Sequence, residues 1–551
     1  MPSSKLKKEN KTSFLKNIAM LMFSQVVVKL LGLVYRVAIV DAEGFGNTGN
    51  GYYATGYQVY MILLAISSIG IPNVISKLVS ERVASGDYRG AHRIFRVALK
   101  MFAGFGFVLS LLLFFSSGFI AETLLHASGV KYTLMVLAPA LTFVSVSAVM
   151  RGYFAGLGSM KAASTSLVIE QFFNCVLSIG FVYACVGRDT AIMAAAGNLS
   201  TTCACAVAFI YILFFYKKRR ADIKAALSEQ TVQQEQKSGR QLVKIILTVS
   251  VPITLSSLIT TANSAIDIFT VSNGIQSALA AQYNHSAAAL EELAMNLYST
   301  MQKAEIITHL PLAISGTLCS AIVPVISSLI AKGDKNGVNG KISSAVLISS
   351  LLIFPCMGGI MVLSGPILKL LYPSASEGAS MLVLLSVTLP FSSLTYILNG
   401  ILYGAGKQKI PAATLAVGSA IKLVLNLILV NIPTLNIYGA IIGTIVYQSF
   451  VFAVETFFVF RCVELKLNFI KLFIKPFVAA ALMSLAVFGA YKLSTLWFGN
   501  TVSTLLAICV GVLVYGLAVL LLRTFEKEDL EGLPAGRKIA SLLTKFKLIG
   551  E

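Results

Sequence analysis

The sequence predicts an all-α polytopic membrane protein of fourteen spans, and three observations carry that prediction. Apolar residues make up 56% of the 551-residue chain and charged residues 12%, about half the charged share of an ordinary soluble domain, with a mean hydropathy of +0.80. Apolar runs of the ~20 residues that a bilayer-crossing helix needs follow one another along nearly the whole chain. The charge is also segregated. With the N-terminus inside, the inward-facing segments hold 36 of the 44 Lys and Arg but only 13 of the 24 acidic residues, the positive-inside pattern that puts both termini in the cytoplasm. The net charge of +20 is therefore topological rather than a nucleic-acid footprint.

The spans follow in order. Residues 14–40 open the series, interrupted by Lys29 and Arg36, which together with the lack of a small-residue cleavage site argue against a cleavable signal peptide. The runs 52–76, 94–116 and 129–150 follow, then 164–187 and 190–216, ending at the basic KKRR of residues 217–220. The longest inward polar stretch comes next. Beyond it lie 243–270, 299–330, 342–364, 378–402, 411–432 and 437–460, and finally 474–495 and 502–523. The expected organisation is a six-helix bundle over 1–216, a cytoplasmic linker over 217–242, a second bundle over 243–461, two extra C-terminal helices within 462–523 and a cytoplasmic tail over 524–551.

Two internal repeats divide the chain in this way. Gly152, Gly156, Gly158 and Lys161 in GYFAGLGSMK recur as Gly400, Gly404, Gly406 and Lys409 in GILYGAGKQK, 248 residues apart at all four positions. Likewise PNVISKLV followed by GDYRG at Gly86–Gly90 matches PVISSLI followed by GDKNG at Gly333–Gly337, which equates Pro72 with Pro324 at a spacing of 252. Six spans per repeat is an even number, so the halves are in pseudo-twofold repeat about an axis along the membrane normal, the architecture of alternating access. GILYGAGKQ lacks the first glycine and the Ser or Thr of a phosphate-binding loop, so no ATPase is indicated. Cys175, Cys185, Cys203, Cys205, Cys319, Cys356, Cys462 and Cys509 lie mostly inside apolar runs and there are four His, which suggests neither a metal site nor a disulfide framework. No catalytic residue and no cofactor are expected beyond a coupling cation of unknown identity, and a monomer is expected.

Ionisable groups at membrane depth are costly and are functional candidates by default. Gln25, Lys29, Gly32 and Arg36 share one face of the first span, where the two cations form a stripe. Ser256, Thr260, Asn263 and Asp267 form a polar stripe on the seventh. Lys303, Glu305 and His309 open the eighth; Glu170 with Asn174 and Lys422 with Asn426 lie one turn apart on the fifth and eleventh. Glu455, close to the inner end of the twelfth, reads as reaching the interface. Lys29 and Lys422 lie deep within their spans, and Glu170 is a candidate countercharge for either. Lys29, Arg36, Lys303 and Lys422 would make a shared cavity cationic, suited to a phosphate or pyrophosphate; Gln25, Glu170, Asn174, Asn263, Asp267, Glu305, His309 and Asn426 are its candidate polar and coupling groups.

KLLGLVYR at Lys29–Arg36, GNGYYATGYQVY at Gly49–Tyr60, GIPNVISKLVSE from Gly70 and AIVPVISSLIAKGD at Ala321–Asp334 resemble the multidrug, oligosaccharide-lipid and polysaccharide exporter (MOP) superfamily. Within it they are similar to the stage V sporulation protein B and MurJ-type lipid II flippases of Gram-positive bacteria. The resemblance covers most of the chain. It implies a bacterial cytoplasmic-membrane flippase that moves an undecaprenyl-pyrophosphate-linked peptidoglycan precursor through a central cationic cavity, with Lys29 and Arg36 at the first-helix basic positions and the last two helices forming a groove for the polyprenyl tail. The implied partners are the lipid-linked glycan and membrane lipids. Two departures stand out: Lys rather than Arg at 29, and no basic residue in the second span before Lys77. A flippase for another lipid-linked polysaccharide unit and a cation-coupled multidrug antiporter are the alternatives.

Overall fold

The computed structural model describes residues 14–228, 238–280, 286–463 and 467–524. Every expected span falls on a helix. The first is α1 (Phe14–Val40); α2 (Gly46–Leu64), a π-turn (Ala65–Ile69) and α3 (Ile71–Ala84) make up the second. Then come α4 (Tyr88–Phe119), α5 (Val130–Gly156), α6 (Lys161–Ala184), α7 (Thr190–Ser228), α8 (Gly239–Ala280), α9 (Ala287–Ala331) and α10 (Lys335–Val362). The short α11 (Ser364–Leu371) precedes α12 (Ala379–Ser386) and α13 (Thr388–Gly404), which share the tenth span, and α14 (Lys409–Leu429), α15 (Ile437–Cys462), α16 (Lys475–Ser494) and α17 (Asn500–Leu521) complete the chain. Twelve stretches are long and apolar enough to cross a membrane among the described residues; α1 and α8, of 27 and 42 residues, stand at the other two span positions. Helices satisfy their own backbone, which is why the described residues of a chain this apolar form helices and no strand. The expected linker begins as a continuation of α7 to Ser228; its residues 229–237, the first thirteen residues and the expected tail from 525 onward lie outside the described residues.

The helices group into two compact units, Met1–Ser299 and Thr300–Glu551. In unit 1, α5 packs against α4, α7 and α3, α6 against α7 and α1, and α8 against α2, α3 and α4. In unit 2, α15 packs against α14 and α13, and α10 against α13 and α16. The last two helices pack on each other around a small core of Met483, Val487, Ala507 and Leu363. They leave Leu485, Val512, Leu513 and Leu521 more than 60% exposed, a lipid-facing surface.

Both repeats are built into local geometry. Asp87 caps α4 by accepting from the Gly90 backbone N–H at 2.8 Å, and Asp334 caps α10 by accepting from Gly337 at 2.8 Å. Gly86 (φ 76°) and Gly333 (φ 71°) make the preceding turns, a backbone conformation that favours glycine. In the second repeat Gly158 (φ 87°) and Gly406 (φ 73°) turn the chain and Lys161 and Lys409 are the first residues of α6 and α14. The other two glycines are contact points. A Cβ at Gly152 would meet the Pro72 carbonyl oxygen at 2.7 Å, and one at Gly400 the Cys319 carbonyl oxygen at 3.0 Å; Gly156 and Gly404 sit likewise on Val79 and Ile326.

This corrects the register expected for the prolines. Pro72 corresponds to Cys319, Val79 to Ile326 and Asp87 to Asp334, all 247 residues apart. Pro72 stands at the start of α3, where its missing N–H costs nothing, whereas Pro324 lies inside the 45-residue α9. The likeness of PNVIS to PVISS is thus a sequence coincidence five residues out of structural register.

Candidate functional site

The site begins with α1. Lys29 is exposed and Arg36 half-buried; seven residues apart, they stand two turns or ~10 Å from each other on one face. Arg36 is backed by tyrosines. Its guanidinium carbon lies 5.6 Å from the Tyr53 ring centroid and 5.8 Å from that of Tyr57, within cation–π range, and its Nε donates to Tyr35 Oη at 3.4 Å. Tyr53 donates to the same Tyr35 hydroxyl at 3.2 Å. On α2 the Tyr53 and Tyr57 rings stack at 6.3 Å and 10°, and Tyr60 follows at 5.8 Å from Tyr57.

The i, i+4, i+7 spacing of Tyr53, Tyr57 and Tyr60 places them on one helical face. That signal is visible in GYYATGYQVY, yet sequence reasoning missed its role. The rings lie against one cation, while Lys29, further along the stripe, is exposed.

Glu170, expected as a countercharge for Lys29 or Lys422, is paired within unit 1. Arg151 donates to it at 2.6 Å and, through Nε, to Ser166 Oγ at 2.8 Å. Arg151 lies inside α5, 8% exposed. Asn174, on the same helix as Glu170, accepts from Ser200 Oγ at 2.6 Å and from Thr201 Oγ1 at 3.3 Å, tying α6 to α7. Asp267 is buried and Asn263 half-buried on α8. The side chains of Gln25, Ser256 and Thr260 lie outside the described residues.

In unit 2 the expected cations are engaged locally. Lys303 is fully buried; its Nζ donates to the Ala375 carbonyl and lies 5.4 Å from the Tyr372 ring centroid, so it pins the 372–375 turn. Glu305 accepts from Gln302 Nε2 at 2.9 Å, and His309 is exposed. Lys422 and Asn426 are fully buried on α14 beside Gly443 of α15, where a Cβ would collide with Asn426 Oδ1 and touch Lys422 Cγ at 3.6 Å. Glu455 does not reach an interface: it is 0% exposed, and neither carboxylate oxygen has a hydrogen-bond partner among the described residues.

A family model described as polysaccharide biosynthesis protein matches residues 14–330, and one described as MatE matches residues 299–428. Stage V sporulation protein B of Bacillus subtilis (strain 168) is 26% identical over 95% of this chain and 98% of its own length. Lipid II flippase MurJ of the same organism is 25% identical over 79% of this chain and 80% of its own. Among solved structures, the inward closed conformation of lipid II flippase MurJ superposes with a TM-score of 0.64 at 16% identity, covering 90% of this chain and 97% of that one. An inward-facing multidrug resistance MATE family transporter of the MOP superfamily gives 0.62 at 16% identity, covering 79% and 98%.

Proposed function

We propose, from the premise that this chain belongs to the polysaccharide biosynthesis protein family within the MOP superfamily, that it is a flippase for an undecaprenyl-pyrophosphate-linked peptidoglycan precursor, lipid II. The observation that carries the reading is the Lys29–Arg36 stripe with Arg36 held against Tyr53 and Tyr57. A fixed, planar guanidinium binds a phosphate oxygen pair bidentately, and an accessible ammonium adds a second point of charge. The proposed cycle has no covalent step. The head group binds this stripe from the cytoplasmic leaflet, alternating exposure of the stripe delivers it to the other side, and the polyprenyl tail stays in lipid, so the sugar-pyrophosphate never enters hydrocarbon. The apolar surface of α16 and α17 suits a neighbouring acyl or prenyl chain. A multi-pass protein of the bacterial cytoplasmic membrane with both termini in the cytoplasm is part of the same proposal.

The test is complementation of a cell depleted of its lipid II flippase, read as growth and as accumulated lipid-linked precursor. Wild type rescues, whereas Lys29→Ala and Arg36→Ala lose rescue at equal membrane abundance. Full rescue by both single variants and the double variant would remove the stripe from the mechanism. No rescue by wild type, combined with restored export of a different lipid-linked glycan, would move the substrate to that glycan. Drug resistance on overexpression without rescue would favour a cation-coupled antiporter, the reading that the MatE match at residues 299–428 supports.

A further inference from the structure

We propose that Glu455 is a proton-binding site within unit 2, taking up a proton in the packed state and releasing it when water reaches the α15 face. Glu455 lies seven residues before the C-terminal end of α15. Val451 and Val459, one turn to either side on the same face, are both 0% exposed, and Val459 belongs to an apolar core with Ile322, Leu394, Ile397 and Ile401. This face of the helix is therefore packed into hydrocarbon-like surroundings. Among the described residues neither carboxyl oxygen has a hydrogen-bond partner and no ion pair involves Glu455, and a buried carboxylate without either is strongly disfavoured. The carboxylic acid is the form that this packing accommodates.

The groups around it agree. Cys319 of α9, Tyr403 of α13 and Tyr447 of α15 itself interact electrostatically with Glu455, and none of them is a cation. Lys422, on the α14 helix that packs against α15, lies beside Gly443, twelve residues or ~18 Å of helix from Glu455. Arg461, six residues further along α15, is exposed. The short α12 contributes no ionisable residue.

The α6 carboxylate of unit 1 is handled differently. There Arg151 neutralises Glu170 at 2.6 Å. At the position 248 residues on from Arg151, the spacing of the glycine repeat that begins at the next residue, unit 2 has Asn399, an uncharged side chain. A proton does for Glu455 what a guanidinium does for Glu170, and unlike the guanidinium it can leave. Protonation needs only bulk protons, O–H bond formation on one carboxyl oxygen and the reverse transfer to water.

Infrared difference spectroscopy of the purified full-length protein in lipid vesicles, wild type minus Glu455→Gln, tests this. The expected result is a protonated-carboxyl C=O band near neutral pH that is present in wild type and absent in the variant, shifts in D2O, and is lost as pH is raised. Absence of that band at neutral and acidic pH overturns the proposal. Gln is the neutral isostere of the acid, so a Glu455→Gln protein that fails to fold also counts against it. Labelling of wild type with a hydrophobic carbodiimide, which reacts with protonated carboxyls, gives a measurement independent of the variant. Mass spectrometry should locate the adduct on Glu455 in preference to Glu170, and the reverse preference overturns the site. Neither readout involves a lipid-linked substrate, so failure here is separable from failure of the flippase reading.

Discussion

Arg151 and Glu170 meet at 2.6 Å between α5 and α6, with Arg151 also bound to Ser166, so the carboxylate on the fifth span is already neutralised inside unit 1. The side chains are 10% and 26% exposed. Breaking a buried pair from one side leaves an uncompensated charge and costs about 3–5 kcal/mol. Arg151→Ala is therefore expected to lower the thermal unfolding midpoint in detergent strongly, while Arg151→Met combined with Glu170→Leu recovers most of the loss. Equal destabilisation by the single and double variants would show that the pair is not what stabilises this region.

Arg36 is positioned by ring faces as much as by its own charge. Exchange for Lys keeps the charge but loses the planar fork and its stacking on Tyr53 and Tyr57. Cation–π contact is worth ~0.5–2 kcal/mol. Arg36→Lys should give intermediate rescue in the complementation assay, Tyr57→Leu a similar intermediate, and Tyr57→Phe nearly full rescue because the ring face remains. Full rescue by Arg36→Lys would mean that orientation does not matter.

Lys29 and Lys303 separate binding from stability. Lys303 is fully buried, with its ammonium on the Ala375 carbonyl, and hydrogen bonds to charged groups contribute about 1.5–3 kcal/mol. Lys303→Met is expected to lower the unfolding midpoint by a corresponding amount, with rescue falling only in step with abundance. Lys29 is exposed, so Lys29→Met should leave the midpoint unchanged and still abolish rescue. The opposite split would reverse the two assignments.

The matched caps make a paired prediction. Asp87→Ala and Asp334→Ala each remove one N-cap hydrogen bond of 2.8 Å, a loss of ~1 kcal/mol. Hydrogen exchange should speed up in the first turn of α4 in one variant and of α10 in the other, by similar factors. Asp87 also accepts from Arg82 at 3.2 Å, which should make its loss slightly the larger.

The segments that follow chain-local rules were readable in advance. The Gly86–Asp87–Gly90 and Gly333–Asp334–Gly337 caps and the paired glycine turns could be found because every atom involved lies within a few residues. Other features required knowing which helix is the neighbour. The likeness of the two proline segments pointed to Pro324, while the contacts of Gly152 and Gly400 chose Cys319. Helical spacing put Glu170 on a face, and only the packing of α5 against α6 brought Arg151 to it.

The amino-acid order alone determined that this is a membrane protein of many helices with two internally repeated segments and a basic stripe on its first span. Apolar runs in lipid must satisfy their backbone within themselves, so composition and length suffice for that much. Tertiary structure decided what stands beside each charge: Arg151 beside Glu170, the Ala375 carbonyl beside Lys303, tyrosine rings beside Arg36, and no hydrogen-bond partner for Glu455 among the described residues. Periodicity specifies the direction of a side chain around its own axis, and the identity of what stands opposite is a property of the assembled bundle.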